Sequence, residues 1–403
     1  SIACWLLSLF ISLCIPLAER DVLTAPSFAP SISFYAPVIL HLLGYPSQTI
    51  GYGVHTLSLY QALVPLAGSL GLNLVATDLS ASDSFEHLDS VPGIQDCANQ
   101  LIHLYIADPS VSLVPPKYPG KHVLYTVFES SVLPLGWKEA CTKFDLILTA
   151  SHWGATILRQ ALPSTPIAVV PEGVDPILHH RWNRTGSRFQ QDLTSPSSES
   201  GSDIFTFLSV GKFEVRKSYQ ELVQAFISAF PPACHKVRLL LRLHNIFYPE
   251  YVDEVNALTS QPGAEGRILV VNNLDSGEYL SPTTLASLYR SAHCFVFPSK
   301  GEGWGLPLIE AISCGTPYLA THYSGHTEYL SHCSQPYSQI DYNLDIIRDP
   351  GYLRFHRFLE ADSASWAVPC VDHLASQMRL IHDNWTEVYL SLIHISEPTR
   401  RYA

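Results

Sequence analysis

Between residues 299 and 310 the chain sets two carboxylates among closely spaced glycines, a pattern that suits a polar, charged ligand. The run is Ser299-Lys300-Gly301-Glu302-Gly303-Trp304-Gly305, with glycine at every second position from 301, followed by Leu306 and, eight residues after Glu302, by Glu310. Glycine lets a backbone approach a ligand closely and adopt positive φ. A glycine loop that opens a helix presents free N–H groups and the positive end of the helix dipole, which suits a phosphate. A carboxylate accepts hydrogen bonds side by side from vicinal hydroxyls. One element could therefore hold a phosphate on its amides and sugar hydroxyls on Glu302 and Glu310, which is the outline of a nucleotide-sugar pocket. A basic loop lies upstream, Gly211-Lys212-Phe213-Glu214-Val215-Arg216-Lys217. Its Lys212 and Lys217 could face a diphosphate; a solvated basic turn is the plainer alternative.

The surrounding pattern predicts the elements that must position these groups. Residues 295–297 form a short apolar strand ending at Pro298, and residues 306–314 a helix. Pro307 falls in the helix's first turn, where a missing N–H costs nothing, and Gly315 closes it. Glu310 is expected about one turn in. Residues 318–320 are the next strand. Upstream, a strand at 205–210 feeds the basic loop, and Ser218 with Glu221 reads as a capping box on the helix that follows. Strands at 237–244 and 268–271 and a helix at 285–292 complete an alternation of strand and helix over 204–330. From 336 to 365 the pattern breaks into loops, and 374–385 is a last helix.

The first half opens similarly: a buried strand at 37–44, a loop with Gly51-Tyr52-Gly53, a helix over 54–70 and a strand at 72–76. That is the start of a doubly wound α/β domain, whose ligands sit at the carboxyl ends of the strands. Further strands are expected at 101–106, 122–128, 146–150 and 167–171. Glu129 directly follows one of them, as a cleft-facing acid or as a helix N-terminal carboxylate. Ser151 could cap a helix, with His152 beside it as an alternative substrate contact.

Composition bounds the answer. The chain has 403 residues, 47% hydrophobic and 15% charged, so it is globular and long enough for two domains. A net charge of −12 argues against nucleic acid as the main partner. Nine cysteines with no CxxC pair read as buried thiols, not a disulfide framework or a zinc site. Residues 3–17 are an apolar run of about 15 residues, short of the roughly 20 that span a bilayer. It reads as a buried helix, with a signal or anchor as the alternative that leaves peripheral membrane contact open. Residues 24–37 read as a linker. The chain opens on Ser1 with its only methionine at 378, and residues 391–403 read as a non-native tail, so the natural termini are expected to be missing.

Glu302 and Glu310 around Gly303-Trp304-Gly305-Leu306-Pro307, continued by Cys314-Gly315-Thr316-Pro317 and Ser324-Gly325-His326-Thr327-Glu328, resemble the signature of family 4 glycosyltransferases. The resemblance covers roughly residues 37–330, tight at 205–217 and 296–328. It implies an α/β GT-B fold, with two Rossmann-like doubly wound parallel-sheet domains facing across a cleft. The acceptor domain would span 37–175, an interdomain linker 176–203 and the donor domain 204–390. It implies retaining transfer of a hexose from a nucleotide sugar, of GDP-mannose or UDP-glucose type, to a carbohydrate, lipid-linked or protein acceptor. By that resemblance Lys212, Lys217 and the backbone around Gly305-Leu306 meet the diphosphate, and Glu310 holds the ribose. Glu302 holds the transferred sugar, with Lys217 and Glu129 as its catalytic companions. Gly53, Gly303 and Trp304 complete the donor-binding set. No metal and no cofactor beyond the nucleotide sugar is expected, because lysines replace a divalent cation as counter-charge. A cytoplasmic location is expected, with membrane association as the alternative.

The chain departs from the family pattern at Phe128, where some members have a histidine, and at Lys212, where arginine is commoner. Two other readings stay open. One is a non-catalytic nucleotide-sugar-binding relative, and the other a nucleotide-sugar 2-epimerase, which would be expected to lack the segment from Glu302 to Glu310.

Overall fold

The computed structural model describes residues 38–44, 51–68, 72–78, 101–109, 120–180 and, with short gaps, 204–388. The apolar run at 3–17, the linker at 24–37 and the tail at 391–403 lie outside the described residues. The chain forms two compact units. Of the described residues, one gathers those up to Phe128, within 132–173 and within 350–362; the other gathers Glu129–Ser131 and those within 174–349 and from Ser363 on.

In the first unit the described elements run β1 (Val38–Gly44), α1 (Gly51–Leu63), β2 (Leu72–Asp78), β3 (Leu101–Ile106), β4 (Lys121–Tyr125), α2 (Leu135–Cys141), β5 (Leu146–Thr149), α3 (His152–Ala161) and β6 (Ile167–Val169). The strands form one sheet in the order β2-β1-β3-β4-β5-β6, parallel throughout. A parallel sheet is covered on both faces, so its strands read as unbroken apolar runs. β3 and β5 are buried at every residue. The core packs Tyr105, Phe128, Leu133, Trp137, Phe144 and Leu158. Phe128, at the position where some family members have histidine, is 2% exposed and meets Trp137 edge-on. Ser151 caps α3, its hydroxyl accepting from the Gly154 N–H at 3.1 Å.

The helix expected over 54–70 is shifted. It begins at Gly51, so Gly51-Tyr52-Gly53 forms its first turn rather than a loop, and it ends at Leu63. Pro65 explains the end, since the residue before a proline is driven out of the α region. Tyr52 ties the helix to the sheet edge: its hydroxyl donates to the Val127 carbonyl at 2.7 Å and accepts from the Val127 N–H at 3.1 Å.

In the second unit a sheet in the order β12-β11-β10-β7-β8-β9 is again parallel. Its strands are β7 (Phe205–Lys212), β8 (Val237–His244), β9 (Ile268–Val270), β10 (Cys294–Phe297), β11 (Tyr318–Thr321) and β12 (Gln339–Ile340). The helices between them are α4 (Tyr219–Ala229), α5 (Tyr251–Thr259), α6 (Pro282–Ser291), α7 (Leu306–Ser313) and α8 (Thr327–Leu330). Strand order reverses between β7 and β10. At such a switch point the loops leaving the two strands part to opposite faces and open a crevice at the carboxyl ends. The basic loop leaves β7 there and the glycine loop leaves β10.

Two expectations fail in this unit. Residues 336–365 are not all loop. β13 (Tyr342–Ile346) pairs antiparallel with β14 (Ser365–Pro369), and between them in the chain comes α9 (Pro350–Phe355), which belongs to the first unit. The capping box is absent too. Ser218 has left-handed backbone (φ 58) and makes no cap bond, while Glu221 pairs with Lys300 at 2.7 Å. The last helix, α10 (Val371–Asp383), stays with this unit and buries Leu374, Met378 and Ile381 in the core beside α4. No helix among the described residues is long and apolar enough to cross a membrane.

Candidate active site

The loop after β7 tightens into a single 3-10 turn, Val215–Lys217, which turns Arg216 and Lys217 inward; both are buried. The turn is pinned to the glycine loop, since the Lys300 N–H donates to the Arg216 carbonyl at 2.8 Å. Lys217 Nζ then lies 2.5 Å from Glu302 Oε1 and 5.2 Å from the centre of the Phe297 ring. The Ser299 hydroxyl donates to the same carboxylate oxygen.

Arg216 is the hub of this cluster. One guanidinium nitrogen donates to the Gly301 carbonyl at 2.6 Å and stands 3.0 Å from Glu302 Oε1. The other is 2.5 Å from Glu214 and 3.4 Å from Glu129. Lys212, at the end of β7, is half exposed and reaches Glu214 at 3.2 Å. Three cations thus interleave with three carboxylates.

Burial alone would raise the Glu302 carboxyl, but Lys217, Arg216 and the hydrogen bonds from Lys217 and Ser299 outweigh it and hold it down at about 2. Glu214 is likewise held low against burial by Arg216 and the two lysines. Glu129 goes the other way: burial raises it and Arg216 only partly compensates.

The glycines are set by close approach. A Cβ on Gly301 would stand 2.4 Å from the Glu129 carbonyl oxygen, and one on Gly325 only 1.9 Å from that of Gly303. The loop of residues 322–326 is thereby stapled to the glycine loop, with the Gly325 N–H donating to the Glu302 carbonyl at 2.9 Å and the Glu302 N–H to the Ser324 hydroxyl at 2.8 Å. Gly305, with φ 86, opens α7. Its carbonyl accepts from Tyr329 at 2.9 Å, and Trp304 stacks edge-on against that ring. Trp304 is only 2% exposed, so its ring packs in the interior rather than against a ligand.

Glu310 lies fifth in α7, about one turn in as expected, and shares a half-buried face with Leu306 and Pro307. The Tyr289 hydroxyl donates to its Oε2 at 2.8 Å, and His179 Nε2 stands 4.0 Å from Oε1. Burial raises this carboxyl to about 7, with the Tyr289 hydrogen bond pulling weakly the other way.

The structure therefore gathers Glu129, Lys212, Lys217, Glu302, Gly303, Gly305 and Leu306 at or beside one switch point, with Glu310 one helical turn beyond Leu306. Gly53 belongs to the first unit. Sequence reasoning passed over Arg216, Ser299, Ser324, Tyr289 and His179. Arg216 stood in the quoted basic loop, but only the 3-10 turn reveals that it points inward. Among the described residues no group of three or more His, Cys, Asp or Glu side chains could hold a metal ion.

Two parallel six-stranded sheets, each doubly wound, define the GT-B class of fold. Residues 267–338 match the family model described as Glycosyl transferases group 1. The chain is 33% identical over 124 residues to the O-antigen chain mannosyltransferase B of Escherichia coli, a match covering 30% of each chain. Among solved structures, sucrose-phosphate synthase of Thermosynechococcus elongatus superposes with a TM-score of 0.62 at 16% identity, over 91% of this chain and 94% of that one. The HepE protein of Anabaena, solved in complex with UDP, gives 0.55 at 14% identity over the same shares. The chain therefore has the GT-B fold and resembles group 1 glycosyltransferases over residues 267–338.

Proposed function

We propose that the protein is a retaining glycosyltransferase that moves a hexose from a nucleotide-sugar donor to an acceptor hydroxyl. The observation that carries this reading is the meeting of the Lys217–Arg216 turn with Glu302 where the strand order reverses. The diphosphate is the leaving group, and its growing negative charge is met by Lys217, Arg216 and Lys212. Preorganised charge of this kind is often the largest catalytic contribution. The cations are balanced by Glu129, Glu214 and Glu302 before a ligand enters. Protonation of Glu129, which burial favours, leaves the cations in excess for a diphosphate.

Glu302 stays ionised and held by Lys217, so it can accept hydroxyls of the transferred sugar and face the oxocarbenium-like carbon. The bond from that carbon to the diphosphate oxygen breaks, and the bond to the acceptor oxygen forms on the same face. The acceptor proton leaves with the departing diphosphate. Glu310 takes the ribose. The lysines and Arg216 supply the counter-charge a divalent cation would otherwise give. Mannosyl and glucosyl donors are the first to try, the former on the mannosyltransferase relative and the latter on the family's habit.

A second reading, a non-catalytic nucleotide-sugar binder, rests on Phe128, which is packed into the core and cannot serve as an acid or base. A donor screen separates them. With GDP-mannose, UDP-glucose, UDP-GlcNAc and ADP-glucose, each with and without EDTA, release of nucleotide from one donor, unaffected by EDTA and lost in Lys217→Ala, supports the transferase. Binding without release, across a panel of acceptors, supports the binder. A well-folded protein that binds none of them contradicts both.

A further inference from the structure

Oε2 of Glu310 accepts from the Tyr289 hydroxyl at 2.8 Å, which fixes how the carboxylate is turned. Its other oxygen, Oε1, faces the imidazole of His179 at 4.0 Å. That separation is too long for a direct hydrogen bond and wide enough for one oxygen atom about 2.8 Å from each. His179 is held there by its own backbone. Its N–H donates to the Asp175 carbonyl at 2.8 Å, Asp175 Oδ1 accepts from the N–H groups of Ile177 and Leu178, and Arg290 donates to the Leu178 carbonyl at 3.0 Å. The side chain is buried, and Nδ1 has no hydrogen-bond partner. Burial keeps the ring neutral near pH 7, lowering it to about 4 against the pull of Asp175. A neutral imidazole and a carboxylate across a 4 Å gap share one fitting guest. A hydroxyl gives its proton to the carboxylate or to the ring, and accepts from the ring in the other tautomer.

We infer that His179 is a second ribose-binding residue, and that one hydroxyl of the donor's nucleoside bridges Glu310 Oε1 and His179 Nε2. The inference rests on the nucleotide-sugar reading of the site. It adds a contact from outside the glycine segment, from the turn that follows the first unit's last strand. It also makes affinity depend on a hydroxyl at one sugar carbon, which a charge contact with the diphosphate would not.

The test is calorimetric titration of the whole protein with UDP and GDP and with their 2′-deoxy and 3′-deoxy forms, in wild type, His179→Ala and His179→Gln. Loss of one bridging hydrogen bond predicts a roughly 3- to 10-fold weaker Kd for His179→Ala. One of the deoxy forms should bind wild type about equally weakly, and that form should lose nothing further in His179→Ala. His179→Gln, which keeps a polar atom in reach, should recover part of the loss. A structural role alone would weaken parent and deoxy nucleotides alike, and that outcome, or an unchanged Kd, overturns the inference while leaving the donor site standing. If wild type binds neither UDP nor GDP, the donor reading falls and this inference with it.

Discussion

Glu302 and Glu310 are the same residue type in one segment, yet their surroundings drive them apart. Glu302 is buried and Glu310 largely so, which by itself raises a carboxyl. Glu302 has Lys217 and Arg216 against it and falls from 4.5 to about 2, whereas Glu310 has only the Tyr289 hydroxyl and rises to about 7. The stability Glu302 contributes is therefore present above 4.5 and lost as pH falls through about 2. That of Glu310 is present below 4.5 and lost as pH rises through about 7. Since the ionised form of Glu310 is the better acceptor for hydroxyls, nucleotide affinity should strengthen as pH rises through about 7. Glu310→Gln should flatten that profile; an identical profile in the variant would contradict the assignment. Lys217→Ala should weaken a nucleoside diphosphate by about 10- to 100-fold, the cost of a charge-assisted hydrogen bond. The residue types and spacing of both acids were legible in the sequence. Their opposite environments were not, because Arg216, Tyr289 and His179 arrive from other elements.

At the scale of elements, the glycine loop is held by backbone meeting backbone. A methyl on Gly325 would collide with the Gly303 carbonyl, which cannot swing away. Gly325→Ala should cost about 1–3 kcal/mol in chemical denaturation and loosen nucleotide binding with it. Gly68 makes the control: a Cβ there meets nothing within 4 Å, so Gly68→Ala should be neutral or stabilise by about 0.4–1 kcal/mol. Equal effects from the two would refute the close-approach account. Most strands of both sheets could be read because their apolar runs stand out, but two-residue β12 fell in the stretch read as loop. β13 could not, since it is short and mostly exposed and lacks the buried alternation that marks a strand. The supposed capping box failed because the 3-10 turn forces Ser218 into left-handed backbone, where its hydroxyl finds no amide.

At the scale of the whole molecule, the alternation of strand and helix made two doubly wound domains legible. The exchange of segments between the units was not. Glu129–Ser131 belongs with the second unit, where Trp366 donates to the Glu129 carbonyl at 2.9 Å and the Ser365 N–H to the Ser131 hydroxyl at 2.8 Å. Such pairings are remote in sequence and carry no periodic signal. Trp366→Phe should cost about 1 kcal/mol and, by loosening Glu129 beside Arg216, reduce turnover more than nucleotide affinity. Equal losses in both would argue that Trp366 only supports the fold.

The most direct test of the central claim is titration of the intact protein with UDP and GDP in EDTA, comparing wild type with Lys217→Ala and with Lys121→Ala, an exposed lysine of the first unit paired to Asp145. The account predicts saturable one-to-one binding of at least one nucleotide, weakened about 10- to 100-fold by Lys217→Ala and unchanged by Lys121→Ala. No binding by folded wild type, or equal weakening by both substitutions, would contradict a donor site where β7 and β10 part.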